Sequence, residues 1–263
     1  MELSRSQLES TAPTQTTVLS SPIHLLKDYP QWLLDRVVQQ QGVHVVTLNA
    51  EMAMQAEQNS TLAAVIDRAE LVIPDGAGVV LYLRLRGRRV QRCPGIELAE
   101  ALLRNVPQAQ PDAGVFFFGG APGVTEQAAI EWRKRVPNLA IAGTEHGYLS
   151  VEAQAQLLEK LRSLQPAIVL VGLGVPRQEL WIAQHRHLCP NAIWIGVGGS
   201  FDIWAGTKTR APSWLRDNHL EWVYRLYQEP WRWRRMMALP EFALKAIGQR
   251  LKQALSFVGV PVP

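Results

Sequence analysis

The sequence predicts an α/β fold: a mostly parallel sheet with helices on both faces, followed by a helical C-terminal appendage rich in basic and aromatic residues. Three observations carry this. Short apolar runs recur along the chain with amphipathic stretches between them, as successive βα units require. The two most telling runs, Val43-His44-Val45-Val46 and Leu71-Val72-Ile73, end abruptly in small polar residues, as buried parallel strands do at their carboxyl ends. After Phe201 the composition shifts to tryptophan and arginine.

The elements follow in order. Residues 1–20 are rich in Ser, Thr and Gln and lack an apolar core, so they are expected to be a mobile leader and not a secretory signal. Residues 21–206 are expected to form the sheet domain and 207–263 the appendage. Strands are expected at 44–48, 71–73, 115–118, 139–142, 168–171 and 193–197, where β-branched and aromatic residues cluster between turn signals. Helices are expected at 61–69, 78–86, 96–104, 125–135, 151–164 and 176–187. Beyond 206, helical segments are expected with splits near Pro230 and Pro240. In the last of these, Leu244, Ile247, Leu251, Leu255 and Val258 fall near one face.

Composition narrows the function. A hydrophobic content of 47% with 19% charged residues is that of a globular chain. No apolar stretch approaches the roughly 18 residues that span a bilayer. Cys93 and Cys189 have no metal-type spacing and read as ordinary thiols of a reducing cytoplasm. Charge is unevenly placed: from Thr207 onward ten Lys or Arg face four acids, net +6, while the whole chain is +4 and the preceding part therefore −2. A basic tail on a slightly acidic body calls for an anionic partner: a phospholipid, a diphosphate or a nucleic acid.

The strand ends hold the candidate chemistry. Thr47, Asn49 and Asp75 follow the first two strands and would stand side by side at one crevice of an open sheet. A carboxylate flanked by Gly76 and Gly78 is accessible as a general base; the same residues also suit a turn and a helix cap. Glycine-rich turns follow three further strands and include Gly120, Gly172, Gly174, Gly198 and Gly199. Such turns let backbone N–H groups and a helix amino terminus cradle a phosphate, or are simply tight connections. None completes a dinucleotide fingerprint, since Arg177 stands where the third glycine belongs, and no Walker-type Gly-Lys-Ser/Thr occurs. Gln178, at the start of a helix, is suited to a sugar hydroxyl or phosphate. Arg92, ahead of Pro94-Gly95, could neutralise a leaving diphosphate or belong to the basic run Arg84, Arg86, Arg88, Arg89. No Asp-x-Asp and no cluster of metal-ligand spacing is present, so no metal is expected. In the tail, Trp222, Tyr224, Tyr227, Trp231 and Trp233 interleave with Arg225, Arg232, Arg234 and Arg235, a composition suited to a membrane–water interface, to a solvated helix face, or to nucleic acid, although no nucleic-acid motif is seen.

These motifs together resemble the WecG/TagA/CpsF glycosyltransferases. The match runs in order over roughly residues 40–240: Thr47-Leu48-Asn49-Ala50-Glu51, Pro74-Asp75-Gly76, Arg92-x-Pro94-Gly95, Pro176-x-Gln178-Glu179-x-Trp181, Gly196-Val197-Gly198-Gly199-x-Phe201-Asp202, Arg210-Ala211-Pro212-x-Trp214 and Leu220-Glu221-Trp222-x-x-Arg225 with Glu229-Pro230-x-Arg232. Glu97 departs from it, the family more often having aspartate there. The resemblance implies a Rossmann-like fold of GT-E type and an inverting transfer, which with no metal expected from the spacing would be metal-independent. The sugar, N-acetylmannosamine or a related hexose, would move from a UDP-sugar to a polyprenyl-diphosphate-linked sugar in cell-surface polysaccharide synthesis. It further implies Asp75 as base with Thr47 and Gln178 in the catalytic set. Asn49, Arg92, the glycine turns and the tail residues Arg210, Arg225 and Arg232 would bind substrate. A peripheral position on the inner face of the plasma membrane is expected, with possible homo-oligomers and no nucleic acid. Two other classes remain open at this point: a soluble nucleotide-sugar-modifying enzyme and a basic nucleic-acid-binding module.

Overall fold

The structure is a computed structural model. It describes residues 12–218 and 220–257, without the side chains of Arg232 and of 251–257.

The chain opens on an antiparallel hairpin, β1 (Thr14–Val18) and β2 (Ser21–Leu25), followed by helix α1 (Tyr29–Val38). The hairpin corrects the expectation of a mobile leader over 1–20: Val18, Leu19 and Ile23 are buried in one cluster with Val46, Leu48 and Val72. The pattern of Thr and Gln alternating along β1 hid a strand with one face exposed. Residues 1–11 of that expected leader lie outside the described residues.

The main sheet has six parallel strands: β3 (Val43–Leu48), β4 (Leu71–Pro74), β5 (Val115–Gly119), β6 (Ile141–Glu145), β7 (Ile168–Gly172) and β8 (Ile193–Gly196). Their order across the sheet is β4-β3-β8-β7-β5-β6. The chain moves outward from β3 to β4, then crosses over β3, β8 and β7 to reach β5. This reversal makes β3 and β8 adjacent across a switch point, where an open parallel sheet leaves a crevice at its carboxyl edge.

Side chains alternate between the two faces. Val43, Val45, Leu71, Ile73, Val115, Phe117, Ile168, Leu170, Ile193 and Ile195 pack under α1, α5 (Gly95–Ala109), α6 (Val124–Arg135) and α9 (Ser200–Trp204). Val46, Leu48 and Val72 face α2 (Ala50–Gln58), α3 (Ser60–Asp67) and α4 (Ala77–Leu85). Phe116, Phe118, Val169, Val171 and Trp194 face α7 (Val151–Leu164) and α8 (Arg177–His185). Both faces are buried, which is why the strands read as near-continuous apolar runs. Trp194 and Trp204 are core residues. The strand expected at 139–142 instead starts at Ile141, because Leu139 turns into the core just before it.

The tail is helical: α10 (Ser213–Asp217), α11 (Glu221–Gln228), a 3₁₀ turn at Pro230–Arg232, α12 (Trp233–Met236) and α13 (Ala238–Phe257). The expected split near Pro240 falls at Met237, between α12 and α13; the proline itself sits in the first turn of α13, where no helical N–H is lost. α13 lies against α2 and α4. Phe242 is buried, its ring 5.9 Å from that of Tyr82, and the Tyr82 hydroxyl donates to Gln249 Oε1 at 2.6 Å. Leu244 and Ile247 are exposed; Leu251, Leu255 and Val258, expected on the same face, lie outside the described side chains.

Candidate active site

β3 and β4 bring the first motif residues together. Thr47 is buried at the end of β3, its hydroxyl donating to the Gly196 carbonyl at 3.4 Å. Asn49 caps α2, its Oδ1 accepting from the Met52 N–H at 2.9 Å, so the capping reading of this residue is realised while it still lines the cleft. The Asp75 N–H donates to Leu48 O, and Asp75 Oδ1 accepts from the Gly95 N–H at 3.3 Å. Two glycines permit this crowding. A Cβ on Gly95 would lie 2.8 Å from Thr47 Cγ2, and one on Gly76 2.9 Å from Asn49 Cβ.

Asp75 stands between two cavities. One, of about 220 Å³, lies toward β8 and is lined by Thr47, Gly95, Gly174, Gln178, Gly198, Gly199 and tail residues including Lys208, Arg210 and Arg225. The other, of about 150 Å³, lies toward α4 and the tail and is lined by Gly76, Ala77, Gly78, Arg92, Trp222, Met236 and Leu239. Asn49, Glu51, Asp75, Glu221 and Arg225 belong to both. Burial pushes the Asp75 carboxyl up to about 6; Arg225 and Arg92 pull it down and the Glu221 charge pushes it further up. A carboxylate with that value is ionised near neutral pH and a stronger base than an ordinary aspartate.

Gln178 is buried, and its amide is spent on structure. Oε1 accepts from the N–H groups of Gly174 and Gly198, each at 3.1 Å, and Nε2 donates to Glu179 Oε1 at 2.8 Å. It therefore staples two glycine turns together under the first cavity, where the sequence reading expected contact with a sugar or phosphate. Gly174 and Gly198 have φ of +75° and +53° and carry these turns; Gly199 lines the cavity beside them. Gly120 and Gly172 line neither cavity described. Gly172 is a packing glycine, where a Cβ would lie 2.6 Å from Phe201 Cδ2, and Gly120 donates its N–H to Gly172 O at 3.1 Å.

The tail closes the carboxyl edge through ion pairs. Arg92 and Arg225 both donate to Glu221, at 3.3 and 2.6 Å. Arg210 and Arg216 meet Glu97 on the first turn of α5, so the position that departs from the family's aspartate anchors two tail arginines. Arg235 pairs with Glu51 at 2.6 Å, Lys208 with Glu229 at 2.7 Å and Lys245 with Glu57 at 3.5 Å. The Nε of Arg210 is buried without a hydrogen-bond partner, and its cationic head remains beside the first cavity. The Arg232 side chain lies outside the described residues. Sequence reasoning missed Glu51, Glu221, Tyr224 and Arg235 as cavity residues. Glu51 and Glu221 lie within the motifs that carry the resemblance, but they come within reach of Arg235 and Arg92, respectively, only once the tail is folded back. Among the described residues no group of three or more His, Cys, Asp or Glu is placed to hold a metal ion, and no helix is long and apolar enough to cross a membrane.

The sequence profile of the glycosyl transferase WecG/TagA/CpsF family matches residues 16–256. The chain is also similar to two proteins named N-acetylglucosaminyldiphosphoundecaprenol N-acetyl-beta-D-mannosaminyltransferase. With that of Bacillus spizizenii it shares 40% identity over 205 residues, 78% of each chain. With that of Bacillus subtilis it shares 36% over 207 residues, 78% of this chain and 79% of the relative.

Proposed function

The chain belongs to the WecG/TagA/CpsF family of glycosyltransferases, and from that premise we propose that it transfers a hexosamine from a UDP-sugar to a polyprenyl-diphosphate-linked sugar with Asp75 as general base. The observation that carries this reading is the position of Asp75 on the wall shared by two cavities, one for each substrate. The donor's diphosphate fits the first, where the glycine turns meet Lys208 and Arg210. The acceptor fits the second, whose Trp222, Met236 and Leu239 suit the start of an isoprenoid chain.

The step is a single displacement. The acceptor hydroxyl gives its proton to Asp75 as its oxygen attacks the anomeric carbon. The bond to the diphosphate breaks with inversion, and its electron pair leaves on UDP. The Gly95 N–H holds the base in place, with Thr47 packed close against Gly95; arginine side chains and backbone N–H groups stabilise the departing charge without a metal. The donor sugar is proposed to be N-acetylmannosamine and the acceptor sugar N-acetylglucosamine, by likeness to the two relatives. Exposed Trp231, Trp233 and Tyr227 with the tail's basic charge support a peripheral seat on an anionic membrane, on its cytoplasmic side, where nucleotide sugars are made.

The test is a donor screen with purified protein, a synthetic lipid-diphosphate N-acetylglucosamine and either chelator or added magnesium. Release of UDP with a disaccharide-lipid product, equal in both conditions, supports the reading. UDP release without the disaccharide product, or dependence on the metal, rejects the corresponding part.

A further inference from the structure

We propose that Glu179 is a positioning residue: buried beneath the end of β8, it fixes the orientation of the Gln178 amide and thereby the spacing of the two glycine turns that floor the first cavity. The consequence for ligand binding rests on the reading of that cavity as the nucleotide site; the positioning itself does not.

A glutamine amide offers two acceptor lone pairs on one end and two donor hydrogens on the other. Here both lone pairs of Gln178 Oε1 are taken by the Gly174 and Gly198 N–H groups, and Nε2 gives one hydrogen to Glu179 Oε1. Turned end for end, the amide would set its hydrogens against two backbone N–H groups and its oxygen against a carboxylate. Glu179 thus holds the amide in the one sense that ties the turn after β7 to the turn after β8. The Gln178 N–H in turn donates to the Gly174 carbonyl at 3.0 Å, so the first turn is gripped from both sides.

The surroundings are shaped around the pair. Gln178 and Glu179 are neighbours on the first turn of α8, yet they are only 2% and 1% exposed. A Cβ on Gly196 would lie 2.3 Å from Gln178 Nε2 and 3.0 Å from Glu179 Oε1, so the end of β8 admits them only as glycine. The second Glu179 oxygen is buried with no hydrogen-bond partner, and burial pushes the carboxyl up to about 7. A buried oxygen without a partner is destabilising. An apolar side chain would avoid that, but it would take away the acceptor that holds Gln178 Nε2.

Glu179→Met removes the acceptor at similar length, and Glu179→Gln keeps one. Hydrogen exchange is followed at the Gly174 and Gly198 amides, and UDP binding by calorimetry. In E179M both amides are expected to exchange about tenfold faster and UDP affinity to fall about tenfold, the scale of one lost hydrogen bond. Strand amides of β5 and β7 should keep their protection, and E179Q should resemble the parent in both readouts. Should E179M fail to fold, Glu179→Ala makes the same deletion with a smaller side chain. Unchanged exchange at both glycines in the deletion variant, or an equal loss in E179Q, overturns the proposal. A parent protein that does not bind UDP refutes the nucleotide reading instead, and the exchange result still decides the positioning.

Discussion

Glu221 of the tail and Arg92 of the loop before α5 meet at 3.3 Å on the rim of the cavity wall that holds Asp75. The same carboxylate binds Arg225 at 2.6 Å. One partly buried anion therefore occupies two guanidiniums that would otherwise be free to turn toward the base, and its own charge pushes Asp75 upward.

Glu221→Gln should lower the Asp75 pKa. The variant removes a charge that raises it and loosens two cations that lower it. The acidic limb of the pH profile of kcat/KM, expected near pH 6 in the parent, should move toward the ordinary carboxylate range. A limb that stays in place would show that Glu221 does not tune the base.

Asp75→Asn should cut turnover by about 10²–10⁴, the usual contribution of a positioned base, with UDP affinity within about threefold of the parent. It should also stabilise the fold. The folded pKa is raised from 3.8 to about 6, so ionising Asp75 opposes folding above that range and contributes nothing below the unfolded value. The melting temperature of D75N should therefore exceed the parent's at pH 8, by the equivalent of about 1–3 kcal/mol, and match it near pH 3.5. Equal melting temperatures at pH 8 would contradict the raised value.

Gly172→Ala should disturb the cradle from below. The new Cβ would lie 2.6 Å from Phe201 Cδ2 and 2.7 Å from the Gly198 carbonyl, and the latter is backbone that cannot rotate away. A loss of about 1–3 kcal/mol in denaturant unfolding is expected, with weakened UDP binding. Gly248→Ala, in a helix with nothing within 4 Å of the added carbon, should instead gain about 0.5–1 kcal/mol.

The tail's aromatic rings should govern membrane partition. Trp231 and Trp233 are 70% and 55% exposed, so replacing both with Ser should leave the fold intact while weakening binding to vesicles containing anionic phospholipid about tenfold or more. Co-sedimentation measures this. Unchanged partition would move the membrane contact elsewhere on the molecule.

Much of this architecture was legible from local pattern. The apolar runs gave five of the six parallel strands within two residues, because a strand buried on both faces needs no partner to be recognised. The sixth, Ile141–Glu145, is an edge strand whose residues are all partly exposed, and its run was placed early. Helix α1 and the β1–β2 hairpin were not anticipated. Tyr29–Val38 carries Pro30 in its first turn after the Asp28 cap, and its buried positions, Tyr29, Trp32, Leu33, Leu34 and Val37, do recur at helical spacing. The hairpin exposes one face and carries polar residues along it.

By itself the sequence determined the alternation of strands and helices, the placement of Thr47, Asn49 and Asp75 at strand ends, and the concentration of positive charge in the tail. These are properties of neighbouring residues, and hydrophobic period and turn chemistry act over a few positions. Only the tertiary structure decided that Gln178 faces the glycine turns, that Gly172 serves packing, and that Glu221, Arg92 and Arg225 converge beside Asp75. Those relations join residues up to a hundred or more positions apart, and they come into being when the strand order sets β3 beside β8 and the tail folds back across the carboxyl edge.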